Sequence, residues 1–309
     1  MDIHTPGSGL PAVSQEAAQE IQKIGGGRMS PEVTCVLLLF NERDNVEPLT
    51  RDILRIYREY GIDGEVLLGD DGSSDGTGKI CDGLAGEFDN VRVFHHRADP
   101  ENGHPIDNWN RAWTILHGFQ KARGDVVIIM DGDRQYDPSE IPLFLEKMKE
   151  GWDVVSGWRH KRADTWWRRL QSRTYNRIFI SGFFGMDIRD QNSGFKAFRR
   201  ELALRMPFDP RGYRGIHRFI LPIAYITGAT ITEVPISHFD RPAGSSYIKT
   251  TTVPFIFLSD LLFRFMKRYG DDIGKMKRLR KHLGRMPTPA DRELLDRTLG
   301  RRSFEQPER

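Results

Sequence analysis

Short apolar runs alternate with longer amphipathic stretches through the middle of the chain. The first run, VTCVLLLF (33–40), is rich in β-branched and aliphatic residues and reads as a buried strand. In the stretch after it, apolar residues recur at helical spacing, namely Val46, Leu49, Ile53 and Ile56. Gly61 follows at the point where this predicted helix ends.

The same alternation continues along the chain. EVLLG, VRVFHH and DVVIIMDGD read as strands, whereas SDGTGKICDGLAGEF and NWNRAWTILHGFQKARG read as helices. Unbroken apolar strands that alternate with helices predict an α/β fold with a mostly parallel central sheet and helices on both faces. Ligands of such sheets bind beyond the carboxyl ends of the strands.

Polar clusters follow three of the predicted strands. Asn41 and Glu42 follow the first strand, DDGSSDGT (70–77) follows the second, and DGDRQ (131–135) follows the fourth. Each cluster alone has an ordinary interpretation, as a helix start or as a capped surface loop. Together at one sheet edge they would repel one another unless a positive group lay between them. The set therefore predicts a cation site.

The DGD sequence suits a hard divalent cation. Asp131 and Asp133 point the same way in an extended segment, and Gly132 between them allows close approach of the backbone. Gln135, at the next alternate position, can add a carbonyl oxygen. Carboxylate and amide oxygens favour Mg²⁺ or Mn²⁺, and these ions suit a bound diphosphate.

Composition narrows the class of protein. The 309 residues carry a net charge of only +3, which argues against a global basic field for nucleic acid. Cys35 and Cys81 form neither a CxxC motif nor a disulfide framework, as expected in a reducing compartment. Residues 1–31 are expected to form a flexible tail without the apolar core of a signal peptide. No apolar run reaches the roughly 18 residues that span a bilayer.

A basic and aromatic segment follows the DGD region. It contains Arg159, Lys161, Arg162, Arg168, Arg169 and Arg173 together with Trp158, Trp166 and Trp167. One interpretation is a solvated helix face, and the other is a landing site for a phosphate at a membrane surface. Arg168 and Ser172 are spaced to share one helix face.

Two later segments also have alternative interpretations. In HFDRPAGSSYIKT, Arg241 is either a solvated loop residue or a bridge to a diphosphate, and His217 further upstream is interpreted as a core histidine. The segment PFIFLSDLLFRFMKRYG, with the basic KMKRLRKHLGR after it, either lies on an anionic bilayer or packs as a helix with a solvated basic tail.

Six motifs in order resemble family 2 glycosyltransferases of the GT-A fold. They are VLLLFNE, LLGDDGSSDGT, IIMDGDRQYDP, DVVSGWR, DQNSGFKAF and EVPISHFDRPAGSSY. Within that family they are most similar to polyprenol-phosphate glycosyltransferases of the dolichol-phosphate mannosyltransferase type. The resemblance implies a nucleotide-sugar-binding GT-A domain over residues 32–250. Residues 251–309 then form a C-terminal amphipathic and basic helical extension.

The resemblance implies metal-dependent, inverting transfer of a sugar from a GDP- or UDP-linked donor to a polyprenyl phosphate. The residues that match the family's nucleotide pocket are Phe40, Glu42 and Asp71, those that match its metal site are Asp131, Asp133 and Gln135, and Asp190 matches the residue against the donor sugar. Arg159, Arg168 and Ser172 match the residues that hold the acceptor phosphate. Ser246 stands where relatives usually have lysine, so this loop lacks one cation of the family pattern.

Three other functions are alternatives to transfer of a sugar to polyprenyl phosphate. The serious alternative is a family 2 glycosyltransferase that acts on a hydroxyl of a saccharide or lipid. A dinucleotide-dependent oxidoreductase would carry GxGxxG where this chain has FNERDN, and a catalytically inactive binding module would not need the intact DGD and Asp190. We therefore expect an enzyme with a nucleotide-sugar donor and no nucleic-acid partner. It is expected to be cytoplasmic and peripheral on the cytoplasmic face of a membrane.

Overall fold

A computed structural model describes residues 31–97, 110–160, 182–211, 215–242 and 255–300. Its strands are β1 (Val33–Leu39), β2 (Gly64–Asp70), β3 (Val91–His95), β4 (Val126–Asp131), β5 (Val154–Arg159), β6 (Lys196–Arg199) and β7 (Ile231–Ile236). Its α-helices are α1 (Arg43–Tyr60), α2 (Thr77–Glu87), α3 (Arg111–Lys121), α4 (Ile141–Lys149), α5 (Arg200–Arg205), α6 (Ile220–Ile226), α7 (Phe255–Leu283) and α8 (Arg292–Leu299). Residues 1–30 of the predicted tail lie outside the described ranges.

The seven strands form one sheet in the order β3-β2-β1-β4-β6-β5-β7. Strands β1 to β4 pair in parallel, and β5 pairs in parallel with β7. Strand β6 runs antiparallel between β4 and β5, so that Lys196 lies opposite Ile129 on one side and Ser156 on the other. The prediction of a mostly parallel sheet is confirmed, and β6 is the departure from strand-helix alternation.

Helix α1 shows why the local pattern predicts the element correctly. The predicted stripe of Val46, Leu49, Ile53 and Ile56 is buried, because these positions fall on one face of a 3.6-residue period. Gly61 ends the helix with φ 62°, a left-handed conformation that glycine adopts without a Cβ penalty.

Two apolar layers cover the sheet, as predicted. One layer joins β1, β2 and β4 to helices α1, α2 and α4. The other joins the opposite face of the sheet to α3, α5 and α6 and to the C-terminal helices. Burial on both faces explains why every residue of β1 and β2 is buried.

The later part of the C-terminal extension contributes to the second layer. Ile273, Met276 and Leu279 of α7 and Leu295 of α8 are buried in it. Arg292 also donates to Asp153 at the start of β5, at 2.6 and 2.7 Å. Residues 273–299 therefore pack against the sheet domain. Among the helices in the described ranges, none has the length and apolar character needed to cross a membrane.

Candidate active site

The loop after β1 brings a carboxylate to the carboxyl edge of the sheet. Asn41, with φ 55°, accepts a hydrogen bond from the Ser74 amide at 2.8 Å and so ties this loop to the octet after β2. Glu42 precedes α1 but makes no side-chain cap. Its carboxylate instead accepts from Asn45 Nδ2 at 2.7 Å, and burial raises its pKa. Asn45 thus holds one oxygen of Glu42, and the other oxygen accepts from Arg241 of a distant loop.

The octet DDGSSDGT divides its three carboxylates between structure and site. Asp70 accepts from the Ser73 amide at 3.0 Å, and Asp75 accepts from the Thr77 and Arg43 amides at 2.9 and 3.1 Å. These contacts shape the loop. Asp71 lines a cavity beyond the strand ends, and so does Phe40.

Two histidines at the end of β3 hold the octet from the other side. His96 Nδ1 lies 2.9 Å from Asp71 Oδ1, and His96 Nε2 lies 2.8 Å from His117 Nδ1. His95 pairs with Asp70 at 2.8 Å. The sequence pattern identifies these histidines only as strand residues, because the parallel pairing of β2 with β3 that sets them beside the carboxylates is a long-range feature.

The DGD loop follows β4 as predicted. Gly132 donates to the Leu38 carbonyl at 3.1 Å, and a Cβ at this position would lie 3.1 Å from the same oxygen and against the Leu39 side chain. This close approach requires glycine. Burial, followed by the charge of Asp131, raises the pKa of Asp133, so the two carboxylates share one electrostatic environment.

Two arginines now neutralise these carboxylates. Arg111, at the start of α3, forms an ion pair with Asp131. Arg241 donates to Asp133 at 2.9 Å and to Glu42 at 3.0 Å and so links two of the predicted clusters. Positive charge does lie between the acidic loops, and in the described structure it comes from arginine.

Asp131 and Asp133 could hold a divalent cation together with other oxygen ligands. Within the described ranges, no group of three or more His, Cys, Asp or Glu side chains is arranged to hold a metal ion by itself. Gln135 lines the same cavity, and its Nε2 donates to the Phe239 carbonyl at 3.0 Å. The candidate donors for a cation are therefore two carboxylates and the Gln135 amide oxygen, and a substrate would have to supply the remaining ligands.

Arg159 and Asp190 form a bidentate ion pair beside this site. Arg159 donates to Asp190 from Nε at 2.7 Å and from Nη2 at 3.0 Å. Glu233 of β7 accepts from the backbone amides of Arg189 and Asp190 at 2.9 to 3.0 Å and fixes this loop. The end of β5 and the DQNSGF loop are thus held in register.

Gly194 explains why the DQNSGF loop needs a residue without a side chain. A Cβ at Gly194 would collide with the carboxylate of Asp131, and its amide donates to the Tyr136 hydroxyl at 2.7 Å. Ser193 shapes the same turn through its hydroxyl, which accepts from the Phe195 amide at 3.3 Å. The loop therefore approaches the DGD site directly.

One cavity of about 530 Å³ unites these elements. The predicted site residues that line it are Phe40, Glu42, Asp71, Asp131, Asp133, Gln135, Arg159 and Arg241. Asp190 joins them through Arg159, whereas Arg168 and Ser172 lie outside the described residues. The cavity also takes in Arg111, Lys196 and His217, to which no site role was assigned. His217 is only partly buried there, which differs from its interpretation as a core histidine.

Solved structures of other proteins have the same fold as this chain. Glucosyl-3-phosphoglycerate synthase from Mycobacterium tuberculosis, solved with Mn²⁺, UDP and glucosyl-3-phosphoglycerate, has a TM-score of 0.54 at 19% identity, covering 87% of each chain. The same enzyme with Mn²⁺, UDP-glucose and glycerol 3-phosphate has a TM-score of 0.52 at 19% identity, covering 86% of each chain.

Mannosyl-3-phosphoglycerate synthase from Rubrobacter xylanophilus has a TM-score of 0.52 at 17% identity, covering 88% of this chain and 80% of that one. Likeness at these identities shows the GT-A fold that the motifs implied. A family model described as glycosyl transferase family 2 matches residues 34–222. The chain therefore belongs to glycosyl transferase family 2 and is a glycosyltransferase enzyme.

Proposed function

We propose that this enzyme transfers a sugar, with inversion, from a GDP- or UDP-linked donor to a polyprenyl phosphate. The observation that carries the proposal is the pairing of Arg159 with Asp190. Both oxygens of Asp190 accept hydrogen bonds from this guanidinium, so the whole carboxylate is engaged in holding Arg159. Asp190 is therefore suited to orienting Arg159 and the donor sugar rather than to taking a proton.

The acceptor that fits such a cavity brings its own negative charge. A sugar hydroxyl needs a positioned base to remove its proton, whereas a phosphate monoester is anionic near neutral pH, with a second pKa of about 6. The carboxylates of the DGD loop and Glu42 are also engaged by Arg111 and Arg241. These pairs support an acceptor that needs orientation and charge neutralisation.

The donor end of the cavity is proposed to hold the nucleotide diphosphate and a divalent cation. Asp131, Asp133 and Gln135 would hold Mg²⁺ or Mn²⁺, which commonly takes one or two carboxylates plus substrate phosphates. The residues fit because both carboxylates line the cavity, and burial and the charge of Asp131 raise the pKa of Asp133. A bound cation neutralises charge that develops on the leaving diphosphate.

The chain's own side chains position the rest of the donor. Phe40, Glu42 and Asp71 are proposed to flank the base, since all three line the cavity. Arg241 is proposed to contact the diphosphate, exchanging Glu42 and Asp133 for phosphate oxygens when the nucleotide binds.

The acceptor end is proposed to begin at Arg159. Asp190 fixes the plane of the Arg159 guanidinium, and a fixed guanidinium binds phosphate oxygens at less entropic cost. Arg168 and Ser172, whose matching to the family comes from sequence alone, are proposed to complete the phosphate site. The long lipid would then extend to a membrane surface, on which we propose that the enzyme is peripheral, at the cytoplasmic face.

Transfer to a hydroxyl is the second candidate. His217 and His238 line the same cavity, and an imidazole there could accept a hydroxyl proton. The structural neighbours are synthases of glucosyl- and mannosyl-3-phosphoglycerate. The first was solved with glucosyl-3-phosphoglycerate bound. A small phosphorylated acceptor is therefore the comparison that a test must include.

The deciding experiment offers each candidate acceptor with UDP- and GDP-sugars in the presence of Mn²⁺. The acceptors are a polyprenyl phosphate, the matching unphosphorylated polyprenol, 3-phosphoglycerate and an oligosaccharide. We expect transfer to the polyprenyl phosphate alone. Transfer to a hydroxyl acceptor and none to the polyprenyl phosphate would replace the proposal with the second candidate. Arg168→Ala is expected to abolish most transfer while nucleotide affinity stays near the wild-type value.

A further inference from the structure

Lys196 is a buried cation in the wall of the cavity, and the proposed reaction gives it no role. Only 2% of the residue is exposed, yet it lines the active-site cavity. As the first residue of β6 it lies opposite Ile129, two residues before Asp131, and opposite Ser156, three residues before Arg159. Lys196 therefore stands between the proposed donor end and the proposed acceptor end.

The charge of Lys196 is poorly compensated within the protein. Its Nζ donates to the backbone carbonyl of Ser193, and no carboxylate of the described residues lies within ion-pair distance of it. Burial lowers the pKa of Lys196 to about 7. The attraction of Asp190 and Asp131 is opposed by repulsion from Arg111 and Arg159. A buried ammonium in this environment destabilises the ligand-free protein.

The neighbouring cations differ from Lys196 in this respect. Arg111 is paired with Asp131, and Arg159 is paired on two atoms with Asp190. An ammonium has three N–H donors, and the carbonyl of Ser193 accounts for one of them. The cavity therefore contains an anion-binding group whose natural partner is brought by the substrate.

We propose that Lys196 binds a phosphoryl group of the reacting substrates. The inference rests on the proposed function, because the phosphates concerned are the donor diphosphate and the acceptor phosphate. A compact ammonium binds phosphate oxygens as a point charge, and its contribution grows as the leaving phosphate gains negative charge. Energy lost by burying an unpaired lysine in the ligand-free enzyme is then recovered when the anion enters.

The test compares Lys196→Gln with the wild type. Glutamine retains a donor for the Ser193 carbonyl but removes the charge, and Lys196→Met removes both. Lys147→Met, at a partly exposed lysine of α4 that pairs with Glu150, is the matched control. Affinities for UDP, GDP and the two nucleosides are measured by calorimetry with Mn²⁺, and the KM for polyprenyl phosphate is measured in the transfer assay.

We expect Lys196→Gln and Lys196→Met to weaken binding of one phosphate-bearing ligand by about tenfold or more, as for the loss of a hydrogen bond to a charged group. Nucleoside affinity should not change. A loss for the diphosphates assigns Lys196 to the donor, and a rise in acceptor KM alone assigns it to the acceptor. Unchanged values for both in folded Lys196→Gln would overturn the proposal.

Thermal melting separates binding from a purely structural role. If Lys196 binds phosphate, Lys196→Met should melt at the wild-type temperature or above it, because an uncompensated buried charge is removed. A lower melting temperature with unchanged ligand affinity would show that Lys196 only supports the Ser193 turn. If wild-type enzyme fails to glycosylate polyprenyl phosphate, the proposed function fails, whereas the calorimetric comparison still tests Lys196.

Discussion

Arg241 donates from Nη2 to the carboxylate of Asp133 at 2.9 Å, although 108 residues separate them in the chain. The same guanidinium reaches Glu42 at 3.0 Å. It therefore joins the loop after β7 to both the proposed base pocket and the proposed metal site. Its exchange onto phosphate would couple nucleotide binding to the release of Asp133.

Replacing Arg241 by alanine should weaken nucleoside diphosphate binding by about tenfold, because a charged contact to phosphate is lost. The affinity for the corresponding nucleoside should change little. Titration calorimetry with Mn²⁺ measures both affinities. Arg211→Ala, at a side chain that is 78% exposed, is the control. Equal loss for nucleoside and diphosphate would place Arg241 outside the diphosphate site.

Asp133→Asn tests the metal assignment. Removal of one carboxylate from the two-carboxylate donor set should lower turnover by about 10²-fold or more. Wild-type activity should disappear in EDTA and return with Mg²⁺ or Mn²⁺. A folded Asp133→Asn enzyme with normal turnover, or full wild-type activity in EDTA, would contradict the assignment. Circular dichroism of both proteins serves as the folding control.

Asp190→Asn tests whether Asp190 orients its neighbours. Asparagine has no negative charge and only one side-chain oxygen, so it cannot accept both hydrogen bonds from Arg159. Arg159 and the donor sugar should therefore lose their orientation. We expect turnover to fall by about 10²-fold, as when one preorganised charged contact is lost, with nucleotide affinity within about twofold of wild type. Steady-state kinetics and calorimetry measure the two quantities. A large loss of nucleotide affinity would instead place Asp190 in the nucleotide pocket.

Glu140 should make stability depend on pH. Its Oε1 accepts from the Ser237 amide at 2.7 Å, its Oε2 has no hydrogen-bond partner, and burial raises its pKa from 4.5 to about 7. The folded protein therefore retains a proton that the unfolded chain releases. This contribution to the free energy of unfolding is fully present below pH 4.5 and is lost as the pH rises through about 7.

Urea denaturation of the wild type and Glu140→Gln at pH 5 and pH 8 checks this expectation. The variant should gain stability relative to the wild type at the higher pH, because glutamine carries no buried charge. Glu201→Gln, at a side chain that is 67% exposed, should show no such difference. The same difference at both pH values would contradict the expected linkage.

Membrane attachment requires a test that leaves the core intact. Deleting residues 253–283 would also remove the buried Ile273, Met276 and Leu279, so loss of binding could reflect unfolding. The double substitution Arg278→Glu and Lys281→Glu changes exposed positions of α7 instead. It should reduce sedimentation with anionic liposomes, and salt should weaken wild-type binding. Equal partitioning of both proteins would indicate that α7 only packs on the domain.

Local sequence patterns determined several strands of this protein, the buried face of its first helix and the position of its acidic clusters. The apolar runs predicted β1, β2 and β4, and the helical spacing of Val46, Leu49, Ile53 and Ile56 predicted the buried face of α1. These features depend on residues a few positions apart, so they are readable without knowledge of the fold. The strand-end rule also placed the acidic clusters at one edge because parallel strands share a direction.

Only the tertiary structure decided which charges meet. The contact of Arg241 with Glu42 spans 199 residues, and Lys196 enters the cavity because β6 inserts antiparallel between β4 and β5. His96 reaches Asp71 through the pairing of β3 with β2. Period and composition carry no information on strand order or on which long side chain finds which carboxylate. Those choices depend on burial and charge compensation across the whole sheet, which exist only once the chain has folded.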